Sequence, residues 1–336
     1  MIIWALVDDR TGSNNQSIAV AEKLSTYYII KKIVYNKLVV LPNFIRNDSL
    51  IGIDLVNSSD IAYDLPDVVI CAGRRLSPVA LNIKKRSKGK TFVINIMDPD
   101  FNFDKFDVIL LPEHDNLSKR RLKNKNIITT VGSLNRVNLN KVAEEAKKWN
   151  EFFVDYNRPL VSLIIGGDTK DRSYNPKEFG LMINNLSKLV NKISGTLLLT
   201  TSRRTSDACN EEIRKNINCD YYLYDWKWEN DKRNIKKNSL GNPYYAMLGV
   251  SDFLIVTADS MSMISECCST GRPTYIYMPR NSVGKKHLRF CDYLLKNNYV
   301  KEFNKSTNDL AKYSYEPLNE LERVIKIIIE KIEEKR

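Results

Sequence analysis

Residues 254–273 read "LIVTADSMSMISECCSTGRP", an apolar run that empties into Ala258-Asp259-Ser260 and resumes as a helix-like stretch carrying Glu266. Small and hydroxylated residues at the mouth of a helix have two chemical readings. Ser260 caps the orphan N–H groups of the first turn, or those groups and the positive end of the helix dipole hold an anion. Glu266 stands about 9 Å along the axis from Ser260 at 1.5 Å per residue. That span suits a ligand with phosphates at the helix mouth and a ribose hydroxyl pair farther along. The alternative is a capped helix with an exposed carboxylate.

Other strand-like runs end in the same kind of residue. In "TTSRRTSD" (200–207), Ser202, Arg203 and Arg204 precede a helix capped by Thr205 or Ser206. Guanidinium groups beside free N–H donors suit a phosphate, and a solvated helix start is the other reading. In "LIIGGDTK" (163–170), Gly166 and Gly167 before Asp168 let N–H groups approach a ligand, or simply make a tight turn. Asn242 and Pro243 mark a helix start with Tyr244 just inside it.

The first half has three such loops. "DDRTGSNNQ" (8–16) places Asp8, Asp9 and Arg10 before Gly12, and Ser13 with Gln16 in capping-box register predicts a helix from Ser13. Capping leaves the two aspartates unexplained, and they read as an acceptor or base site. "GRRLSP" (73–78) carries Gly73, Arg74 and Arg75, and "PEHD" (112–115) carries His114 and Asp115. His114 is a surface histidine or a proton acceptor with a pKa near neutrality.

The elements that hold these loops are short, β-branched and uniformly apolar. Strand-like runs fall at 2–7, 67–72, 91–96, 107–111 and 127–131, and again at 160–165, 196–201, 221–224, 253–257 and 274–278. Such runs suit parallel strands covered on both faces, and helical patterns lie between most of them. The fold class is therefore α/β with two Rossmann-like doubly wound sheets. Domains are expected at 1–150 and 151–310, with a connection near 138–158 and a terminal amphipathic helix in 311–336. In α/β sheets of this kind ligands bind at the carboxyl ends of strands, where all of these loops lie.

An apolar fraction of 43% and a charged fraction of 27% are those of a globular chain. No apolar run approaches the ~18–20 residues of a membrane-spanning helix, and "MIIWALVDD" has no basic segment ahead of its apolar run. The six cysteines show neither zinc spacing nor a C-x-x-C pair, which predicts free thiols in a cytoplasmic protein. The net charge of +12 predicts anionic partners, with two basic runs at 84–90 and 119–125. They are solvated loops, or they meet the anionic lipid headgroups of the inner face of a membrane. No nucleic-acid motif accompanies them.

Eight stretches, "DDRTGSNNQ", "AGRR", "LPEHD", "VGSLN", "IIGGD", "TTSRRT", "GNPYYAML" and "TADSMSMISECCSTGRP", stand in an order that resembles the mitochondrial-fission (elongated mitochondria) family. Its bacterial members carry a provisional glycosyltransferase label. The resemblance covers roughly residues 2–300 and implies a GT-B fold, two Rossmann-like domains facing a cleft. It implies a nucleotide-sugar on the C-terminal domain and an acceptor on the N-terminal one. Glu266 then matches the glutamate that holds the ribose, with Ser260, Met261 and Ser262 as the phosphate-side turn. Gly166, Gly167, Asp168, Ser202, Arg203, Arg204, Asn242, Tyr244 and Asp259 complete the donor side. Asp8, Asp9, His114 and Asp115 are the candidates for catalysis, and Arg10, Gly12, Gln16, Gly73, Arg74 and Arg75 for the acceptor side. Two departures are Gly12-Ser13, where the family commonly has Gly-His, and Ala258-Asp259-Ser260, where it often has Glu-Asp-Ser.

Asp98-Pro99-Asp100 looks like the D-x-D metal motif of the other glycosyltransferase fold, but it precedes no helix-mouth phosphate site and reads as a loop. No metal or cofactor is called for, because helix dipole and arginines can neutralise a leaving diphosphate. The function expected is sugar transfer from a nucleotide-sugar to an acceptor such as a lipopolysaccharide intermediate. A non-catalytic membrane adaptor and a nucleotide-sugar epimerase are the alternatives.

Overall fold

The computed structural model describes residues 1–115, 124–137, 139–169, 172–230 and 240–335. They form two units, Met1–Arg136 with Asn319–Arg336, and Val137–Leu318. Residues 119–123 of the second basic run lie outside the described residues.

The first unit runs β1 (Ile3–Val7), α1 (Thr11–Leu24), β2 (Ile29–Lys32), α2 (Asn43–Arg46), β3 (Val68–Ala72), α3 (Ser77–Arg86), β4 (Phe92–Ile96), β5 (Val108–Pro112) and β6 (Ile127–Thr130). Its sheet has the order β2-β1-β3-β4-β5-β6, with parallel pairing throughout. Every residue of β1, β3, β4 and β5 is buried, which is why these strands read as unbroken apolar runs rather than alternating ones. Successive residues serve opposite faces: Ile3, Ala5, Ile70 and Ile94 join one core, and Trp4, Leu6, Val69 and Val93 the other.

The second unit runs α4 (Leu139–Lys148), α5 (Asn150–Phe153), β7 (Leu160–Ile164), α6 (Pro176–Lys192), β8 (Thr196–Thr200), α7 (Asp207–Asn216), β9 (Tyr221–Tyr224) and α8 (Trp226–Asn230). It continues with α9 (Tyr244–Val250), β10 (Phe253–Thr257), α10 (Met261–Cys268), β11 (Thr274–Tyr277), α11 (Lys285–Lys296) and β12 (Lys301–Phe303). The order β12-β11-β10-β7-β8-β9 is again parallel throughout.

The boundaries differ from an even split at 150. A Cβ on Gly249 of α9 would meet Val142 O at 2.6 Å and Ala146 Cβ at 2.9 Å, so α4 lies tightly on α9 and belongs to the second unit. The last helix, α12 (Glu320–Lys335), is no separate appendage. Its Leu321, Val324, Ile325, Ile328 and Ile332 enter the core of the first unit with Ile3, Val20 and Ile94. The spacing of these five along one helix face is what makes that stripe.

The two strands the apolar pattern missed, β2 and β12, each lie at one edge of their sheet, with β6 and β9 at the opposite edges. β2 is "IIKK" and only half covered, so it lacks the run of buried residues that marks the inner strands. Strand order reverses between β1 and β3 in the first unit and between β10 and β7 in the second. Ligand crevices of doubly wound sheets open at such points. Among the described residues, no helix is long and apolar enough to cross a membrane.

Candidate functional site

At the reversal point of the second unit three loops interlock. Gly166 N donates to Thr257 Oγ1 at 2.8 Å and Gly167 N to Asp259 Oδ2 at 2.8 Å. A Cβ on Gly166 would overlap the Asp259 carboxylate, and one on Gly167, at φ +151°, would overlap the Arg204 carbonyl. The two glycines are therefore required by neighbouring loops, and their N–H groups are spent within the protein rather than on a ligand. The carbonyl of Gly166 accepts Thr205 Oγ1 at 2.7 Å and the Ser202 hydroxyl, and Asp168 N donates to Arg204 O at 3.0 Å.

Asp259 is the centre of this lattice. It is 5% exposed. One oxygen accepts Thr257 Oγ1 at 2.7 Å and Tyr174 Oη at 3.1 Å; the other accepts Gly167 N and Arg204 Nη2, the latter at 2.9 Å. Arg204 also donates to Gly167 O at 3.3 Å and Asp168 O at 3.2 Å. Both residues were expected to meet a ligand, and both are instead engaged in holding the loops. Arg203, its neighbour, is exposed and has no ion-pair partner among the described residues.

α10 begins where the sequence placed it. Ser260 is the N-cap, with its side chain accepting Met263 N at 3.4 Å, and Met261 and Ser262 form the half-buried first turn. Farther along, Glu266 is half-buried, and Tyr244 Oη donates to its Oε2. Burial pushes the Glu266 carboxyl up to about 7, against the pull of the Tyr244 hydrogen bond and the Lys141 charge. Lys141 Nζ stands 4.6 Å over the Tyr245 ring, and Tyr245 meets Tyr244 edge-on at 5.4 Å. Asn242 is exposed and accepts Tyr244 N at 3.0 Å, fixing the start of α9. The arginine of Gly271-Arg272-Pro273 donates to Ser251 O at 2.5 Å and to Gly249 O, satisfying carbonyls at the other end of α9. Arg272 thus sets where α9 presents Tyr244 to Glu266.

In the first unit the loops after β1 and β3 are neighbours. Asp9 Oδ1 accepts Arg75 Nη1 at 2.8 Å, and the Arg75 guanidinium lies 4.2 Å over the Tyr35 ring. Tyr35 Oη donates to Asp8 Oδ2 at 3.1 Å, and Asp8 Oδ1 accepts Arg10 N at 2.8 Å. Burial first, and the Asp8 charge second, push the Tyr35 phenol far above its ordinary range. Arg46 lies beneath, 1% exposed, donating to Ile51 O and Arg75 O at 3.1 Å each. Arg74 is exposed and 3.9 Å from Asp100, and Gly73 takes φ +79°, which favours glycine.

Several expectations change here. α1 starts at Thr11 with Arg10 at the cap, so Ser13 and Gln16 form no capping box. Asn14 closes the loop instead, bonding Asp8 N at 2.9 Å and Asp8 O at 2.7 Å. Gln16 is 6% exposed and accepts Leu134 N at 3.3 Å, a packing role rather than an acceptor contact. A Cβ on Gly12 would meet nothing within 4 Å, so no close approach demands glycine there. His114 and Asp115 follow β5, three strands from β1, about 14 Å at 4.8 Å per strand. Their side chains are 4% and 8% exposed and stand 3.7 Å apart. They are buried and do not join Asp8 and Asp9. Asp98 and Asp100 make a turn, with Asp100 N donating to Asp98 Oδ1 at 2.6 Å.

The family model described as Mitochondrial fission ELM1 matches residues 11–332. This chain belongs to the mitochondrial fission ELM1 family. An uncharacterised protein of Rickettsia prowazekii (strain Madrid E) is 32% identical to this ELM1-family chain over 98% of each. The mitochondrial fission protein ELM1 of Arabidopsis thaliana is 25% identical over 79% of this chain and 64% of its own length. Among solved structures, the UDP-GlcNAc 2-epimerase of Methanocaldococcus jannaschii in complex with UDP-GlcNAc and UDP superposes with a TM-score of 0.52. It is 10% identical, over 98% of this chain and 100% of that one. With its two parallel six-stranded sheets, the ELM1-family chain has the GT-B type of fold.

Residue types alone did not single out Thr257, Tyr174 or Lys141, because each matters through a distant partner; of the two caps offered for α7, Ser206 is the one, and Thr205 bonds Gly166 O instead. His287 had a signal: it follows β11 at the start of α11, one of two histidines in the chain. Burial pulls its pKa below the usual 6.5, against the raising effect of the Asp259 charge.

Proposed function

We propose that this chain binds a nucleotide-diphosphate sugar at the strand-end loops of the second unit and transfers the sugar to an acceptor hydroxyl. The observation that carries the reading is Glu266, a half-buried carboxylate aligned by Tyr244 behind the first turn of α10, together with exposed Arg203, which has no ion-pair partner among the described residues. The carboxylate would accept the ribose hydroxyls. The α10 N–H groups and Arg203 would meet the diphosphate. The acceptor oxygen bonds to the anomeric carbon, the bond from that carbon to the diphosphate oxygen breaks, and the nucleoside diphosphate leaves. The acceptor's proton goes to a carboxylate base, for which Asp8 and Asp9 after β1 are the candidates. The acceptor class is a cell-envelope glycolipid, the reading that uses the basic run 84–90.

The M. jannaschii epimerase binds UDP-GlcNAc and UDP on the same fold, which supports a nucleotide-sugar ligand and keeps an epimerase as the second reading. The name of the Arabidopsis relative supports a non-catalytic fission adaptor. A thermal-shift panel of UDP-, GDP-, CMP- and dTDP-sugars separates these. A ligand at 100 times its dissociation constant adds about 2.7 kcal/mol, and the gain should shrink in Glu266→Ala and Arg203→Ala. No shift with any nucleotide leaves only the adaptor. Where one binds, product formation that depends on a lipid acceptor distinguishes transfer from epimerisation.

A further inference from the structure

Two helices besides its own bring side chains to Glu266. From the start of α9, Tyr244 Oη donates to Oε2, while Oε1 accepts no hydrogen bond among the described residues. A phenol that gives its proton to one carboxylate oxygen orients the group and leaves the other oxygen for a ligand. Tyr244 is itself held. Asn242 Oδ1 accepts its N–H at 3.0 Å, and Tyr245 meets its ring edge-on at 5.4 Å. Lys141 Nζ, from α4, stands 4.6 Å over the Tyr245 ring. A ring face attracts a cation, so Tyr245 seats the ammonium.

Helix packing keeps this arrangement in register. A Cβ on Gly249 of α9 would meet Val142 O at 2.6 Å and Ala146 Cβ at 2.9 Å. Lys141 directly precedes Val142, so the contact that sets α4 on α9 also sets where the ammonium stands. The strands that α10 packs on, β10 "FLIVT" and β11 "TYIY", bring no charged side chain. Burial pushes the Tyr244 phenol and the neighbouring Cys267 thiol well above their ordinary ranges, so both stay neutral. The charge that favours an ionised Glu266 therefore comes from Lys141.

We infer that Lys141 is a positioning residue of the donor site: its charge, seated over Tyr245, holds Glu266 as the carboxylate that accepts ligand hydroxyls. The ligand rests on the donor reading above, whereas the hold of Lys141 on Glu266 is measured without ligand.

The experiment follows the Glu266 carboxyl by carbon NMR in the full ligand-free chain, with Glu266→Gln assigning the signal. The parent midpoint is about 7. Lys141→Gln should move it up by about 0.5–1 pH unit, because the ionised form loses the charge that favours it. Tyr245→Leu, which removes the seat, should move it the same way, and Lys141→Arg should leave it in place, since a guanidinium also stacks on a ring. Calorimetry with UDP should then show Lys141→Gln binding about threefold more weakly at pH 7 and equally to the parent at pH 9. An unmoved midpoint in Lys141→Gln and Tyr245→Leu overturns the role. So does a loss of affinity that persists at pH 9, which would mark direct contact between Lys141 and the nucleotide. If the midpoint moves and UDP binds to neither chain, the donor reading fails and the hold of Lys141 on Glu266 stands.

Discussion

One oxygen of Asp259 accepts both the Gly167 N–H, at 2.8 Å, and the Arg204 guanidinium, at 2.9 Å, so a single buried carboxylate joins loops from three strands. Its neighbour Arg203 takes no part in that lattice. Two adjacent arginines that look alike in sequence therefore have separable roles.

Asp259→Ala should cost about 3 kcal/mol in urea denaturation, the usual scale for breaking a buried pair. Arg203→Ala should stay within about 0.5 kcal/mol of the parent stability and lose nucleotide affinity instead. Equal destabilisation by the two would refute the division.

Gly166→Ala and Gly167→Ala should unfold or severely destabilise the second unit, because the added methyl overlaps Asp259 or the Arg204 backbone. Gly12→Ala, with open space around it in α1, should be neutral or stabilising by up to about 1 kcal/mol. Melting temperatures of the three variants check this.

Glu266 couples stability and binding to pH in opposite senses. The folded carboxyl titrates at about 7 against 4.5 unperturbed, so the native state holds a proton that the unfolded chain has released between those values. The stabilisation from this group is thus present below 4.5 and lost as pH rises to about 7, at no more than about 1.4 kcal/mol per unit. Glu266→Gln should flatten that decline. Nucleotide affinity should rise over the same range as the carboxylate becomes an acceptor for ribose hydroxyls. A binding titration that ignores pH in the parent protein would contradict the assignment.

His114→Gln should lower stability by about 1–2 kcal/mol and leave the pH profile of turnover in place, because the imidazole is buried beside Asp115. Asp9→Asn should lower turnover with little loss of stability, since Asp9 is exposed and its pair with Arg75 lies at the surface. Kinetics of the two variants with a lipid acceptor would distinguish them.

Ten strands were legible as apolar runs, the eight inner ones because each is covered on both faces, and the edge strands β6 and β9 because their residues are still β-branched or aromatic. β2 and β12 were not, since these edge strands carry charged residues, "IIKK" and "KEF", and show no apolar run. The positions of the candidate loops were legible too, because each follows the end of an apolar strand run. The cap at Ser260 and the place of Glu266 along α10 could be read from helix geometry within one element. The roles of Gly166, Gly167, Arg204 and Asp259 could not, since each is set by partners tens of residues away.

The chain order of apolar runs and helix signals determined the α/β class, two parallel sheets and the position of every candidate loop. Strand order is a tertiary fact. It placed the loop after β1 beside that after β3, joined the loops of β7, β8 and β10, and left His114 apart, three strands from Asp8 and Asp9. It also returned α12 to the first core. Local residue types specify turns and caps over a few residues, whereas which polar groups remain free for a ligand depends on which loops the sheet brings within hydrogen-bond distance.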